Sequence, residues 1–356
     1  MIVEDSLVVR QLLAHIVARD PRLVLAAAVG SAEEALREMS RVRPDVVSMD
    51  IRLPGIDGLE ATRRIMAEQP TPIVVVAEAV GDASRMSMNA LRSGALAVVE
   101  KPVGLSSGSY ETIADTICTQ LFIMSQVPVI RRRALGAPLG LRRAGDAIPG
   151  ALAPGSLATG APAAAVPAVR PSILGMAAST GGPPALARVL GGLPADYPLP
   201  ILLVQHMGAP FMEGFASWLD GLVPLSVGLA RDGAVPQPGQ VHVAPGDRHL
   251  SLTATGHLRV SAEAPVGGQR PAATVLFQSL AEHAGARGMG VLLTGMGEDG
   301  ALGLLALRRA GGLCITEHES TAVVYGMPGV AQRLGASSAS LPLEMVAPRL
   351  LRAVAS

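Results

Sequence analysis

Along the chain, short runs of aliphatic and β-branched residues alternate with longer stretches whose apolar positions recur every three or four residues. That alternation is the signature of βαβ units and parallel sheets. In the first third it predicts strands at 2–3, 24–28, 46–49, 73–76 and 97–99, and helices at 31–39 and 60–68 among others. A further helix is predicted over 110–125, where Ile113, Ile117, Leu121 and Met124 fall at helical spacing. In the second half the strands are predicted at 173–177, 201–205, 241–244, 291–294 and 314–316. Helical stretches there include 184–190, 211–219, 274–283 and 301–309. The fold class is therefore α/β, with two doubly wound parallel sheets.

Between residues 128 and 171 this pattern stops. The segment is dense in Ala, Pro and Gly, with basic clusters at Arg131, Arg132 and Arg133 and at Arg142 and Arg143. Frequent breakers leave no element room to nucleate, so it reads as a flexible linker. The expected domains are 1–126, a linker over 127–170, and 171–356. A length of 356 residues fits two cores better than one.

Charge and composition narrow the classes of function. Lys plus Arg and Asp plus Glu are both 29, so no net field draws the chain to nucleic acid or anionic lipid. No apolar run is long enough for a membrane span, and MIVEDS carries acids where a signal peptide is basic. Cys118 and Cys314 stand far apart in apolar surroundings and read as reduced, buried thiols. A cytoplasmic protein is expected.

Ligands of doubly wound sheets bind beyond the carboxyl ends of the strands. In the first half those ends carry Glu4 and Asp5, Asp50, and Lys101. Three hard oxygen donors crowded together suit Mg²⁺, and one of them, faced by a lysine, suits attack on a phosphoryl group. MIVEDS, SMDIRLPGIDGLEATRRIM and VVEKP make residues 1 to about 126 resemble the receiver domain of two-component response regulators. The resemblance implies a flavodoxin-like fold. It implies Asp50 as phosphoacceptor, Glu4, Asp5 and Asp50 as the Mg²⁺ site, and Lys101 as the phosphoryl contact. A cis or tight bond at Lys101–Pro102 would also fit. The chain departs from the family at Ala77, where a Ser or Thr is usual, and at Val98, where an aromatic is usual. Only three residues precede Glu4 where a full central strand is expected.

In the second half, ILGMAASTGGPPALARVL reads as a buried strand, a tight turn and a helix, with Ser179 in the turn. Gly181 and Gly182 free the backbone, Pro183 and Pro184 suit a helix start, and the helix N–H groups face any anion formed there. On this motif alone, an activated serine and a phosphate cradle are equally served. His206, after ILLVQ, and Asp299, in the loop after VLLTGMG, also fall at strand ends. A serine needs a base, and a histidine base needs an acid to fix its tautomer. A P-loop lysine and a G-x-G-x-x-G spacing are both missing, so the hydrolase reading prevails. No histidine has a partner at metal-ligand spacing, so no metal is expected in this half. His249 is the best remaining histidine for substrate contact, with a plain loop residue an equal reading, and Met207, Met296 and Met327 lie near glycine-rich loops rather than on helical stripes.

GMAASTGG, VQHM, PGQVHVAPGDRHL, RPAATVLFQSLA, LLTGMGEDG and VVYGMPG together resemble the catalytic domain of chemotaxis protein-glutamate methylesterases over nearly all of 172–350. The resemblance implies a Rossmann-like α/β hydrolytic domain with Ser179 as nucleophile, His206 as general base and Asp299 as its orienter. Thr180 and the Met296 N–H would hold the oxyanion. It further implies methyl-accepting chemoreceptors as substrate, a chemotaxis histidine kinase as phosphodonor, and glutamine deamidation as a related activity. Gln269, Thr274 and Gly329 replace a usual His, Asp and basic residue. Two alternatives stand: a methylesterase whose receiver no longer switches, and a non-catalytic scaffold that binds receptors.

Overall fold

A computed structural model describes residues 1–78, 82–102, 110–127 and 169–355, with backbone alone at 82–86. Most of the predicted linker, including both arginine clusters, lies outside the described residues. The N-terminal unit runs β1 (Ile2–Val3), α1 (Leu7–Arg19), β2 (Ala28–Val29), α2 (Ala32–Val42), β3 (Val47–Met49), α3 (Gly58–Glu68), β4 (Ile73–Ala77), α4 (Asp82–Ser93), β5 (Ala97–Glu100) and α5 (Tyr110–Ser125). Its five strands are parallel, in the order β2-β1-β3-β4-β5. Short as it is, β1 pairs on both sides, Ile2 with Ala28 and Ser48, Val3 with Val29 and Met49. The strand predicted at 24–28 shrinks to Ala28–Val29, and Val24 is 89% exposed. Its apolar run faces water at the sheet edge, where β-propensity has no core to pack against. Helices start where side chains cap them: Ser6, Ser31 and Asp57 accept the N–H of Val9, Glu34 and Glu60.

The second unit runs β6 (Ile173–Ala178), α6 (Gly182–Leu190), β7 (Ile201–Gln205), α7 (Met212–Asp220), β8 (Ser226–Leu229), β9 (Gln240–Val243), β10 (His249–Leu252), β11 (Leu258–Ser261), α8 (Ala273–His283), β12 (Gly288–Leu292), α9 (Ala301–Arg309), β13 (Leu313–Glu317), α10 (Met327–Arg333), β14 (Ala339–Leu341) and α11 (Leu343–Ala355). Seven strands form a parallel sheet ordered β14-β13-β12-β6-β7-β9-β8, and β10 and β11 pair separately as an antiparallel hairpin. Strands β6, β7 and β12 are buried throughout. Both sheet faces are covered, so these strands read as continuous apolar runs rather than alternating ones. The peripheral β8, β10, β11 and β14 lack that signal, and the sequence pattern missed them.

The two units share packing. Met88 and Leu91 of α4 are buried in the same apolar cluster as Leu186, Phe211 and Phe215 of the second unit. Val98 of β5 packs against that cluster and against the first unit's own core. Val324, in the loop before α10, packs in turn on the cluster formed by Ile2, Val76, Ile117 and Leu121. Cys118 and Cys314 are free and buried, as expected.

Candidate active site

At the centre of the large sheet, β6 is flanked by β12 and β7. The three loops leaving the carboxyl ends of these strands carry Ser179, His206 and Asp299. The serine turn is tight. Gly181 adopts φ +75°, and a Cβ there would come within 2.6 Å of Val323. On the other side a Cβ on Gly295 would lie 2.8 Å from that of Ser179 and 2.3 Å from Met327 Sδ, so the two loops touch only because a glycine stands between them. Ser179 N–H donates to Thr294 O at 3.0 Å, and Thr294 Oγ1 donates to Thr180 O at 2.9 Å and accepts Val324 N–H at 2.9 Å.

His206 Nε2 lies 2.9 Å from Asp299 Oδ2, and both side chains are nine-tenths buried. That contact leaves Nδ1 as the ring nitrogen for another partner. No hydrogen bond joins Ser179 Oγ to the ring among the described residues. Looser geometry of this kind is common before substrate binds. Asp299 also accepts the N–H of Ala273 at 2.6 Å, of Thr274 at 3.0 Å and of Gly300 at 2.8 Å. Ala273 and Thr274 open α8, whose N-cap position, Ala272, offers no side-chain oxygen. The carboxylate therefore caps a helix while it faces the histidine, and the helix dipole favours its charge. Burial alone would raise its pKa; the bonds from His206 and Thr274 outweigh it and hold the carboxyl below its ordinary value. Thr274 has a further place here, because its hydroxyl accepts Gly300 N–H at 2.8 Å and orders the Asp299 loop.

Met296 is 47% exposed, and its N–H donates to no acceptor among the described residues. Thr180 is buried, and its Oγ1 has no hydrogen-bond partner among the described residues. Both line a cavity of about 710 Å³ together with Ser179, His206 and Met207. The opposite wall comes from the N-terminal unit: Val98 of β5 and Ile113, Thr116 and Gln120 of α5. His249 does not reach this cavity. It is 1% exposed, its Nε2 contacts Ala264 O at 3.1 Å and its Nδ1 accepts Ala272 N–H at 3.2 Å, so both nitrogens secure the loop before α8. Met327 is core, fully buried beneath Gly295.

Sequence reading missed Glu317, at the end of β13. It is fully buried, and its Oε2 accepts Thr294 N–H at 2.8 Å behind the serine turn. Its Oε1 has no partner within hydrogen-bond geometry among the described residues, and burial pushes the carboxyl above its usual range against the opposing pull of Thr294 N–H and Thr321. A lone acid after an apolar strand gives no warning that it turns inward.

In the N-terminal unit, Lys101 Nζ lies 2.9 Å from Glu4 Oε2 and 2.8 Å from Asp50 Oδ2. Oxygen atoms of Glu4, Asp5 and Asp50 all fall within 4.8 Å of one another. Burial raises the Glu4 carboxyl against the opposing pull of Lys101, and burial tends to lower Lys101 while Asp50 and Glu4 hold it above its ordinary value. Arg10, also missed, donates to the backbone oxygens of Glu4 at 2.6 Å and Asp5 at 3.1 Å and steadies the loop. Ala77 ends β4, 2% exposed, and offers this site no hydroxyl. The cis peptide among the described residues is Arg270–Pro271, so Lys101–Pro102 is trans.

With this geometry in hand, comparison with known proteins is decisive. Residues 174–350 match the CheB methylesterase family model, and residues 1–108 match that of the response regulator receiver domain. A protein-glutamate methylesterase/protein-glutamine glutaminase of Paramagnetospirillum magneticum is 50% identical over 98% of this chain and 96% of its own length. One from Myxococcus xanthus is 43% identical over 99% of this chain and 96% of its own. This chain belongs to the protein-glutamate methylesterase family. Among solved structures, the CheB methylesterase catalytic domain of Thermotoga maritima superposes with TM-score 0.50 at 35% identity, covering 52% of this chain and 99% of that one. In methylesterase terms, the large sheet is the hydrolase unit and the five-stranded sheet is a receiver. No helix among the described residues is long and apolar enough to cross a membrane.

Proposed function

We infer that this chain hydrolyses γ-methyl esters of glutamates on the cytoplasmic helices of methyl-accepting chemoreceptors, under control of its receiver, for chemotactic adaptation in the cytoplasm. The domains are taken as 1–126, a linker over 127–170, and 171–356. The observation that carries the reading is the buried 2.9 Å contact of His206 Nε2 with Asp299 Oδ2 beside the serine turn. Asp299 fixes the tautomer with its proton on Nε2, which leaves the Nδ1 lone pair to take the Ser179 proton. Ser179 Oγ attacks the ester carbonyl, and the oxyanion meets the free Met296 N–H and Thr180. His206 returns the proton to the departing methoxide, methanol leaves, and water, activated by the same ring, hydrolyses the acyl-enzyme. A glutamine side chain follows the same course with ammonia as leaving group.

In the receiver, Asp50 is assigned as the phosphoacceptor from a chemotaxis histidine kinase and Lys101 as the phosphoryl contact. Three hard carboxylates faced by one ammonium leave net negative charge, which fits a divalent cation, so Glu4, Asp5 and Asp50 would hold Mg²⁺. When bound, the ion neutralises charge on the phosphoryl group. The receiver's α5 and β5 wall the cavity in front of Ser179, so the resting enzyme excludes a receptor helix until phosphorylation lifts that wall. Ala77 favours a second reading in which the lift is weak, because the buried end of β4 has no hydroxyl to grip the phosphoryl oxygen. Methanol release from methylated receptor, with and without a small phosphodonor, tests both. A wild type as active without phosphodonor as the 171–356 segment would remove the inhibitory role.

A further inference from the structure

Between the nucleophile turn and the base strand stands a side chain that the reaction does not consume. Gln205, the last residue of β7, is 1% exposed. Its Nε2 donates at 2.9 Å to Ser179 O and at 2.9 Å to His206 O. The Ser179 carbonyl also accepts Gly182 N–H at 2.8 Å, so two donors hold it, and His206 N–H donates to Ala178 O at 3.1 Å. Nucleophile and base are thereby tied on both sides of the β6–β7 seam, and the second tie is one amide nitrogen. Two carbonyl oxygens in front of that nitrogen fix the amide's orientation, because the reversed rotamer would set oxygen against oxygen. The group cannot retreat either. A Cβ on Gly182 would lie 2.1 Å from Gln205 Oε1, so the amide is wedged beneath the first residue of α6. Oε1 itself has no partner among the described residues, so the side chain is kept for its donor end.

We propose that Gln205 is a positioning residue of the esterase. Its amide sets the backbones of Ser179 and His206 in register, so that the serine oxygen and the free ring nitrogen align when substrate enters. This rests on the Ser179–His206–Asp299 reading above. Misplacement of a reacting group by about 1 Å costs roughly 10²-fold in rate, and the loss should fall on kcat because the Gln205 donor is spent on two backbone carbonyls of the machinery.

Two variants of the full-length enzyme test it. Gln205→Met keeps length and removes the donor. Gln205→Glu keeps shape, but its carboxylate presents two oxygens to two carbonyls and regains one donor only when protonated. Methanol release is normalised to active sites titrated with a fluorophosphonate that labels Ser179, which removes any loss of folded enzyme. The expected result is a kcat about 10²-fold lower in Gln205→Met, with KM near that of the wild type. The ratio of kcat in Gln205→Glu to that of the wild type should rise from mildly alkaline to mildly acidic pH, as the introduced carboxyl gains a proton and with it one donor. The proposal is overturned if kcat per titrated site in Gln205→Met equals that of the wild type, or if the pH profile of Gln205→Glu runs parallel to it. Ser179→Ala separates the two levels. Methanol release that persists there sinks the triad reading, whereas a dead Ser179→Ala beside a fully active Gln205→Met sinks the role of Gln205 alone.

Discussion

The receiver pocket and the esterase pocket lie at the same place in the same kind of sheet, beyond the carboxyl ends of central parallel strands, yet they hold charge in opposite ways. In the receiver, oxygens of Glu4, Asp5 and Asp50 lie within 4.8 Å of one another, and the one ammonium beside them, that of Lys101, reaches Glu4 and Asp50. In the esterase, the carboxylate facing the histidine is satisfied from within, by three backbone N–H groups, two of them the N-terminus of α8. The difference fits a site that must gain and lose a ligand against one that must not move. Charge left unbalanced makes a switch; charge fully bonded makes a fixed tool.

The strongest way to break that comparison is to cut into the fixed site. Ser179→Ala and His206→Ala should each lower methanol release by about 10⁶-fold, and Asp299→Ala by about 10⁴-fold, since the acid acts only through the ring. Near wild-type release from Ser179→Ala would show that the pocket is not the tool. On the receiver side, treatment with a phosphodonor and Mg²⁺ should yield one phosphoryl adduct by mass spectrometry, and Asp50→Asn should yield none. An unchanged adduct in Asp50→Asn would move the switch elsewhere.

A subtler change sharpens the contrast. Ala77→Ser restores a donor to the phosphoryl group, a charge-assisted bond worth about 1.5–3 kcal/mol. Fold-activation by phosphodonor should therefore rise by about one to two decades. The 171–356 segment, freed of its wall, should be the most active form. If Ala77→Ser changes nothing and the wild type already matches the segment when phosphorylated, the switch does not need that hydroxyl.

The smallest effect expected is on stability. Glu317 is a buried carboxyl of the esterase that follows receiver logic, pushed up by burial with one oxygen unpartnered among the described residues. A raised folded-state pKa means that its contribution is complete below its unfolded value of 4.5 and is lost as pH rises through the folded one. Asp299 runs the other way: its lowered pKa stabilises above 3.8 and fails as pH falls through the folded value. Glu317→Gln should accordingly raise the melting temperature at mildly alkaline pH, by about 2–4 °C for each kcal/mol of charge burial relieved. Near pH 4 the gain should vanish, and thermal scans at the two pH values decide it.

How much of this the sequence disclosed depended on burial. Strands covered on both faces, such as β6, β7 and β12, were legible as apolar runs with chemistry at their ends. Ser179, His206 and Asp299 stand in the loops that follow these three strands, so their place at strand ends could be read from the sequence. Strands β8, β11 and β14 were not legible, because partly exposed strands carry a weaker pattern, and β10 is mostly buried but has only four residues, His249 and Ser251 among them. Residues that act through backbone atoms were hidden for another reason. Gln205, Thr294 and Arg10 hold carbonyls and N–H groups, and such pairings leave no mark on residue spacing. His249 misled in the same way: its place near the other motifs reflected a loop anchor, not a contact with substrate.

Met88 and Leu91 of the receiver lie in one apolar cluster with the hydrolase core. Such contacts weaken on cooling, because the driving force for burying apolar surface is entropic near room temperature and fades below it. On the proposed reading of the receiver as a lock, the same packing makes it a thermometer as well. In the cold, the unphosphorylated enzyme should open more often, and its basal rate should fall less steeply with temperature than that of the freed 171–356 segment.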